Sequence, residues 1–328
     1  MIETVSSPTL DLCAAAAPEK GAGPRPLPDN GKLLIVSPVK NEAEFLSRTI
    51  RTIVAQTRRP DRWVIVDDGS SDDTRRIAEE ASAAHSWISV VHRPLGLARR
   101  MGGGVVEAFY AGLATVDAKE YQFICKLDGD LELPPGYFEG MLALLARDET
   151  LGTVSGKCYL MEGDRRTPER TDDEMSLGAA KLYRRTCFED IGGFVAEVMW
   201  DGIDCHRCRQ LGWKAASIRD PRYDICHLRL MGSSFKSIYH GRLRWGRGQW
   251  FLGTHPLYVL AIAAYRTFER PWLVGGACIL AGYLQAWWQG KPRYGDAAFR
   301  THLHRWQLRK LFSPRKLFAA VFPSRQGG

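Results

Sequence analysis

The chain has 328 residues, of which 45% are hydrophobic, enough for one large or two small domains with a true core. Its formal net charge of +8 is uneven, because residues 291–328 hold nine Lys and Arg against one acid, Asp296. The first 290 residues are therefore electrically balanced, which excludes nucleic-acid binding by charge for the main body of the chain.

Most of the chain before residue 160 alternates predicted strands with predicted helices. Residues 1–30 are rich in Ala, Pro and Gly and are expected to be disordered. Beyond them, apolar runs predict strands at 33–37, 63–66, 88–91, 123–127 and 152–158, and helical periodicity predicts helices at 42–56, 72–83, 99–115 and 135–147. We expect Ser70 or Ser71 to cap the second helix. This alternation predicts a mostly parallel sheet covered by helices on both faces.

Polar loops follow three of the predicted strands, at residues 38–42, 67–70 and 128–130. In sheets of this kind ligands bind beyond the carboxyl ends of the strands, so we expect the three loops to converge. Asp128 and Asp130 are separated by a glycine, which permits a tight turn. Carboxylates that face one point suit a hard cation such as Mg²⁺ or Mn²⁺, and the alternative is a solvated acidic turn.

These segments resemble the motifs of family 2 glycosyltransferases, which have the GT-A fold. Residues 35–42 resemble the first strand and loop of that family, 66–74 its acidic nucleotide-binding loop, and 128–130 its metal motif. Residues 178–185 and 191–194 resemble its acceptor-side segment. The resemblance spans roughly residues 33–230 and implies an α/β fold of GT-A type that transfers a sugar from a nucleotide-sugar, usually with inversion.

The resemblance also implies a donor site. Asp128 and Asp130 become the expected ligands of Mg²⁺ or Mn²⁺, with Asp130 the more direct one and Asp128 also near the donor. Asp68, and with it Asp67, is expected to accept a hydrogen bond from a uracil imide, which favours a UDP-sugar; alternatively, Asp67 caps the next helix. The expected donor-binding set is completed by Pro38, Glu42 and Arg99. Arg99 and its neighbour Arg100 either contact phosphate or begin a solvated helix.

Inversion requires a base that takes the proton of the acceptor hydroxyl. Counting back from residues 207–213, which resemble a helix end of the family, places Asp201 at the base position and Trp200 where the family has a glutamate. Asp204 is the second candidate base, and either aspartate could instead cap a helix at 203–211. His227, after a predicted strand at 223–226, is expected near the metal or the diphosphate, or else as a polar partner in the core.

Two further motifs lie in the last third of the chain or close to it. Residues 241–248 resemble the Gln-x-x-Arg-Trp segment of polysaccharide synthases, with glycine in place of glutamine. Arg244 and Trp245 are retained, which implies a role in positioning the acceptor or the diphosphate. Cys205, Cys208 and Cys226, together with neighbouring histidines, compose a possible zinc site, but their spacing is incomplete. The eight cysteines are otherwise expected to be reduced, since no signal peptide is recognised.

The C-terminal region, residues 236–328, is expected to be helical, apolar and basic. Two stretches, 249–265 and 271–290, lack Lys, Arg, Asp and Glu, and Trp272, Trp287 and Trp288 flank the second. This composition favours a helix lying on the cytoplasmic face of an inner membrane; a spanning or re-entrant hairpin and a cytoplasmic helical appendage are the alternatives. The sequence thus predicts three parts: a disordered segment 1–30, a transferase domain 31–235, and this region.

Together these features predict a metal-dependent, inverting glycosyltransferase that acts on a lipid-linked or polysaccharide acceptor in envelope or exopolysaccharide assembly. A nucleotidyltransferase of similar fold would need a glycine-rich basic first loop, which residues 37–41 do not supply. A catalytically inactive membrane scaffold would not need Asp128, Asp130 and Asp201.

Overall fold

The computed structural model describes residues 31–94, 103–169, 171–229, 238–267 and 274–312. Within them, eleven strands form two sheets. The strands are β1 (Leu33–Val39), β2 (Arg62–Asp67), β3 (Ile88–His92), β4 (Phe123–Leu127), β5 (Leu131–Glu132), β6 (Leu151–Gly156), β7 (Cys158–Glu162), β8 (Arg165–Pro168), β9 (Ala180–Arg184), β10 (Lys214–Ile218) and β11 (Ile225–His227).

The helices of the described residues cover both faces of the larger sheet and build the C-terminal region. They are α1 (Leu46–Val54), α2 (Thr74–Ala84), α3 (Gly103–Leu113), α4 (Tyr137–Arg147), α5 (Arg185–Asp190), α6 (Trp200–Gln210), α7 (Ile238–Leu252), α8 (Pro256–Thr267), α9 (Val274–Trp288) and α10 (Ala297–Leu311). Two short 3₁₀ turns, Ala118–Glu120 and Pro221–Tyr223, complete the described elements.

The larger sheet has the order β10-β6-β9-β4-β1-β2-β3, and every neighbouring pair is parallel except those that β9 makes with β4 and β6. The mostly parallel sheet predicted from the sequence is therefore confirmed. Its central strands are buried on both faces: in β1, Leu33 and Ile35 pack into one core, and Leu34 and Val36 into the other. Burial on both faces explains why these strands are continuous apolar runs rather than alternating ones.

The smaller sheet has the order β5-β11-β7-β8 and was not predicted. The apolar stretch 152–158, predicted as one strand, is divided between β6 of the larger sheet and β7 of the smaller. β5 follows Asp130 directly, and β11 ends at His227, with Leu131 and His227 paired across the two strands. The smaller sheet thus places His227 beside the loop that follows β4.

Several predicted boundaries differ from the structure. Helix α1 begins at Leu46 rather than Glu42, so Glu42 lies in the preceding turn. Strand β1 extends through Val39, and Pro38 is a buried strand residue paired with Val66 instead of a loop residue. The predicted serine cap of α2 is also wrong, because Asp73 precedes that helix and no side chain caps it. Here Asp72 accepts hydrogen bonds from Thr74 instead.

The C-terminal helices pack on one another and on α6. α7 and α9 approach backbone to backbone, since a Cβ at Gly246 would overlap the carbonyl of Ile279, and one at Gly282 would overlap that of Leu243. Leu252, Phe299 and Leu303 of this region form a core with Ile203 of α6. No helix in the described parts of the chain combines the length and the hydropathy needed to cross a membrane.

Candidate functional site

The loop after β4 carries the two aspartates predicted to bind metal. Thr49 of α1 clamps this loop, because its hydroxyl donates to the carbonyl of Gly129 (2.8 Å) and accepts from the amide of Leu131 (3.1 Å). Gly129 was expected to allow a tight turn, but it is not among the glycines with positive φ. It is needed for close approach instead, since a Cβ there would lie 2.7 Å from Cγ1 of Val39.

Asp130 lies at the centre of a group of charged side chains. Its Oδ2 atom is 2.6 Å from Nε of Arg229 and 3.5 Å from Nε2 of His227. Arg229 also donates to Oε1 of Glu42 (2.5 Å). On the other side of His227, Nδ1 lies 3.2 Å from each carboxylate oxygen of Glu169. We call this group the carboxylate corner: Glu42, Asp128, Asp130, Glu169, His227 and Arg229.

Burial shapes the electrostatics of this corner. Burial, followed by the charge of Asp130, raises the pKa of Glu42 to about 7. The Oε2 atom of Glu42 is buried and has no hydrogen-bond partner among the described residues. Burial would lower the pKa of His227, but its hydrogen bonds and charge interactions with Asp130 and Glu169 outweigh this and raise the pKa to about 10.

The donor atoms of the corner fit a hard divalent cation. Carboxylate oxygens and an imidazole nitrogen suit Mn²⁺ or Mg²⁺, and the orphaned Oε2 of Glu42 is a buried acceptor that a cation and its water shell can satisfy. Sequence reasoning had placed Glu42 with the donor, whereas the structure places it with Asp130. Asp128 is partly exposed and pairs with Lys126, whose ammonium also donates to the carbonyl of Gly178 (2.9 Å).

Asp201 lies in the first turn of α6 and is exposed, with its carboxylate against Gly178. A Cβ on Gly178 would lie 2.8 Å from Oδ2 of Asp201. The next residue, Ala179, accepts the amide of Asp128 (2.8 Å). One backbone segment therefore contacts both the candidate base and the candidate metal motif. Neither Asp201 nor Asp204 caps α6, because Met199 occupies the N-cap position, with φ of 73°, and no side chain makes a capping hydrogen bond there.

Asp204 occupies a different environment. The ammonium of Lys181 donates to both of its oxygens, at 2.6 and 2.5 Å, and the hydroxyl of Tyr183 donates to Oδ2 at 2.5 Å. The side chains of Lys181 and Asp204 are 0% and 1% exposed. Trp200, at the position of the family glutamate, is also buried, with Lys126 and Lys181 at 5.3 and 5.5 Å from its ring centre.

The predicted nucleotide loop lies at the carboxyl end of β2. Asp67 is buried and accepts the amide of Ser70 (2.9 Å), so it fixes the turn rather than capping α2. Asp68 pairs with Arg93 (2.5 Å) and lies 3.9 Å from Nζ of Lys40. Arg99, with Arg100, lies outside the described residues.

Arg244 lines a cleft of about 460 Å³ between α7, α9 and the segment before α6. Arg247, Lys291 and Glu197 also line it, and burial lowers the pKa of Arg244. Trp245 packs instead into the helical core around Trp250 and Ile279, with the guanidinium of Arg266 5.2 Å from its ring centre. The two side chains of the retained Arg-Trp pair therefore lie in different surroundings, Arg244 in the cleft and Trp245 in the helical core.

The cysteine side chains that suggested a zinc site do not lie together. Cys205 contacts Lys181 and Ser176, whereas Cys208 lies 3.5 Å from Cys187, and the seven cysteines of the described residues are all free. Among described residues, the group with ligand atoms close enough to share a metal is Cys158, Glu169 and His227, within 4.8 Å of one another.

Sequence reasoning missed three residues of the site, Thr49, Glu169 and Arg229, and placed Gly178 only in the acceptor-side segment. Arg229 follows His227 by two positions, and this His-x-Arg pattern at a strand end is a usable signal. Glu169 directly follows β8, a strand that the sequence does not reveal.

The site can be set beside known proteins. A family model described as "Glycosyl transferase family 2" matches residues 34–199. A curated relative, the undecaprenyl-phosphate 4-deoxy-4-formamido-L-arabinose transferase of Sodalis glossinidius, is 32% identical over 130 residues, which are 38% of this chain and 36% of the relative. An uncharacterized glycosyltransferase of Nostoc sp. is 28% identical over 46% of this chain and 42% of its own length. The chain therefore spans well under half of the curated relatives that it matches.

Solved structures share the fold. The mannosyltransferase PcManGT of Pyrobaculum calidifontis, in complex with GDP-Man and Mn²⁺, superposes with a TM-score of 0.52 at 18% identity and covers 91% of this chain and 86% of its own. GalNAc-T7 with UDP, GalNAc and Mn²⁺ gives 0.55 at 15% identity, covering 89% of this chain and 58% of its own. The predicted GT-A architecture is confirmed.

Proposed function

The chain belongs to glycosyl transferase family 2 and is a transferase enzyme, and we propose that it moves a sugar from a nucleotide-sugar, a UDP-sugar in the first instance, to an acceptor hydroxyl with inversion. One observation carries this proposal. The segment Gly178–Ala179 contacts both Asp201 and Asp128, so the candidate base and the candidate metal motif lie against the same backbone segment at the carboxyl edge of the sheet.

In the proposed reaction the acceptor oxygen attacks the anomeric carbon of the donor, and the bond from that carbon to the diphosphate oxygen breaks. The proton of the acceptor hydroxyl passes to the carboxylate of Asp201, and the nucleoside diphosphate leaves. Asp201 suits this role because it is exposed, whereas both oxygens of Asp204 are engaged by Lys181 and Tyr183. We therefore assign Asp204 a structural role and Asp201 the role of base.

Asp128, Asp130 and His227 would hold Mg²⁺ or Mn²⁺, and the bound cation would offset the negative charge that develops on the leaving diphosphate. Glu42 would lie near the cation but outside its set of direct ligands. Pro38, Asp67 and Asp68 would form the nucleotide pocket, in which Asp68 exchanges Arg93 for the base or ribose. Arg99 and Arg244 would supply positive charge near phosphate, with Trp245 supporting α7.

The first test is thermal stabilisation of the purified chain by UDP, GDP, CMP and dTDP, each with and without Mn²⁺. A ligand that binds only the folded state raises its apparent stability, by about 2.7 kcal/mol at a hundredfold excess over Kd. We expect UDP to act most strongly and to need Mn²⁺, and Asp130→Asn to abolish the metal-dependent part. Metal-independent stabilisation by UDP in both proteins would contradict the cation site. Release of UDP without pyrophosphate distinguishes sugar transfer from nucleotidyl transfer.

We propose a lipid-linked or polysaccharide acceptor in envelope or exopolysaccharide assembly, reached at a membrane surface on its cytoplasmic face. The supporting observation is an apolar, exposed side of α8 and α9. Along α9, Val274, Leu284 and Trp288 are 45%, 53% and 86% exposed, and on α8 Leu257 and Leu260 are 50% and 52% exposed. Lys291 and Arg293 follow α9 directly, and basic residues beside an exposed apolar face suit an anionic leaflet. In this proposal residues 31–235 form the transferase domain and 236–328 the membrane-associating region, which follow the segment 1–30.

Flotation with vesicles that contain anionic phospholipid tests this attachment. We expect the full chain to float and the double variant Leu284→Ser/Trp288→Ser to remain with the soluble protein. Met161→Ser is the matched control, because Met161 is 49% exposed on the smaller sheet, away from these helices. Flotation that is equal in all three proteins would contradict the assignment of this face.

A further inference from the structure

His227 lies between two buried carboxylates that contact opposite nitrogens of its ring. Nδ1 is 3.2 Å from both oxygens of Glu169, and Nε2 is 3.5 Å from Oδ2 of Asp130. The side chains of His227 and Glu169 are 6% and 9% exposed. Only one of these carboxylates, Asp130, belongs to the loop after β4.

Glu169 is held in place by the smaller sheet. Its amide donates to the carbonyl of Cys158 (2.8 Å) at the start of β7. β7 pairs in parallel with β11, and His227 is in register with Leu160. Glu169 and His227 are therefore fixed to the same pair of strands, and their contact does not depend on a long flexible side chain reaching across a loop.

A neutral imidazole has one N–H group and one lone pair, and the acceptor beside one nitrogen decides which tautomer is present. Glu169 offers only acceptor atoms to Nδ1 and so keeps a proton there. In the metal-free protein Nε2 also carries a proton and faces Asp130, and a cation that displaces this proton would meet the Nε2 lone pair. We propose that Glu169 is a positioning residue for the cation site: it fixes the tautomer and the ring orientation in which His227 binds the metal through Nε2. This inference rests on the cation site proposed above.

A second metal site would share Glu169 and His227 with this arrangement. Cys158, Glu169 and His227 together offer the ligand atoms of a site for a thiophilic cation such as Zn²⁺. Cys158 is 1% exposed, and burial raises the pKa of its thiol well above the usual value, which disfavours the thiolate that zinc requires.

The test compares Glu169→Leu, which removes the acceptor, with Glu169→Gln, which keeps one carbonyl oxygen. The probe is Mn²⁺ alone, titrated by electron paramagnetic resonance, with ¹⁵N-labelled histidine reporting both the tautomer of His227 and its coupling to the ion. We expect Mn²⁺ affinity to fall about 10- to 100-fold in Glu169→Leu and less in Glu169→Gln, with loss of the Nδ1–H tautomer in the former.

Glu132→Gln is the matched control, because Glu132 belongs to the same sheet but pairs with Arg48 at the surface. Wild-type affinity and tautomer in Glu169→Leu would overturn the inference while leaving the cation site intact. Mn²⁺ bound without coupling to a His227 nitrogen would overturn the cation site and this inference together. Loss of metal binding in Cys158→Ala, equal to that in Glu169→Leu, would overturn it in favour of the thiophilic site. No sugar is present in any arm, so failure of sugar transfer is measured separately.

Discussion

Two groups of buried charges lie near the same sheet, and they are balanced in different ways. In the Lys181–Asp204 pair, both carboxylate oxygens accept hydrogen bonds, and the ammonium also donates to the carbonyl of Asp201 (2.7 Å). The charge of Asp204 outweighs burial and raises the pKa of Lys181, whereas burial outweighs the contacts with Lys181 and Tyr183 and raises the pKa of Asp204. In the carboxylate corner, by contrast, Oε2 of Glu42 has no partner among the described residues.

This difference indicates which acids are structural and which bind a ligand. A buried polar atom without a partner costs free energy, so a folded protein retains one mainly where something else satisfies it. The Lys181–Asp204 pair needs nothing further and ties β9 to α6. The corner places four carboxylates against Lys126, Arg229 and His227. A divalent cation that displaces the Nε2 proton of His227 would balance these carboxylates together with Lys126 and Arg229.

The largest effect is expected at Asp201, which belongs to neither group. Its carbonyl accepts a hydrogen bond from Lys181, and its carboxylate lies against Gly178. Asp201→Asn removes the proton acceptor and should slow sugar transfer by about 100- to 10,000-fold, the usual contribution of a general base. Because the side chain is exposed, donor binding and the free energy of unfolding should change little. Steady-state rates, UDP binding and urea denaturation measure the three quantities. Full activity in Asp201→Asn would contradict the assignment of Asp201 as the base and leave Asp204 as the candidate.

The second prediction concerns stability rather than rate. Asp204→Ala leaves the ammonium of Lys181 buried without a counter-charge, and removing one partner of such a pair typically costs about 3–5 kcal/mol of unfolding free energy. Urea denaturation measures this loss. The double variant Lys181→Met/Asp204→Leu should recover much of it, because an apolar replacement of the whole pair is often neutral. An Asp204→Ala protein that is stable but inactive would break the distinction between the two groups.

The third prediction uses Glu42. Its pKa is raised from an ordinary value of 4.5 to about 7, so the folded state favours the protonated form. The folded state binds this proton more tightly than the unfolded state does, which adds to the free energy of unfolding at pH values below 4.5. This contribution is lost as the pH rises from 4.5 through about 7. Relative to Glu42→Gln, the metal-free wild type should therefore lose about 1–3 kcal/mol between these values. Unfolding free energies of both proteins across this range, without and then with Mn²⁺, provide the measurement; parallel curves would contradict it.

Much of the fold could be predicted because the central strands are buried on both faces and read as short apolar runs, as β4 does from Phe123 to Leu127. The acids at the ends of these strands could be predicted for the same reason, since chain direction places them at one edge. Strand β9 could not be identified as the antiparallel member of the sheet, because Ala180–Arg184 has no pattern that reveals its direction.

The site was predicted less completely because its contacts join distant parts of the chain. Arg229 and Glu42 are 187 positions apart, and Glu169 and His227 are 58 apart. Nothing local in the sequence marks such a pair, and a charged residue in a hairpin such as Glu169 is ordinarily a solvated one. Asp201 and Asp204 could not be separated from the sequence either, because only packing shows that Lys181 and Tyr183 engage one of them.

The smallest expected effect is at Gly178, which contacts the candidate base. A Cβ there would lie 2.8 Å from Oδ2 and 3.1 Å from Cβ of Asp201, so Gly178→Ala must push the carboxylate aside by a few tenths of an ångström. We expect sugar transfer to slow about tenfold, since a shift of this size misplaces a reacting group without removing it. Gly202→Ala is the control, because Gly202 follows Asp201 in the first turn of α6. A Cβ there would lie 3.8 and 3.9 Å from the nearest side-chain atoms, and alanine is favourable in a helix. It should leave the rate unchanged and raise stability by about 1 kcal/mol. Equal rates in the two variants would mean that the carboxylate of Asp201 need not lie against Gly178 for the reaction.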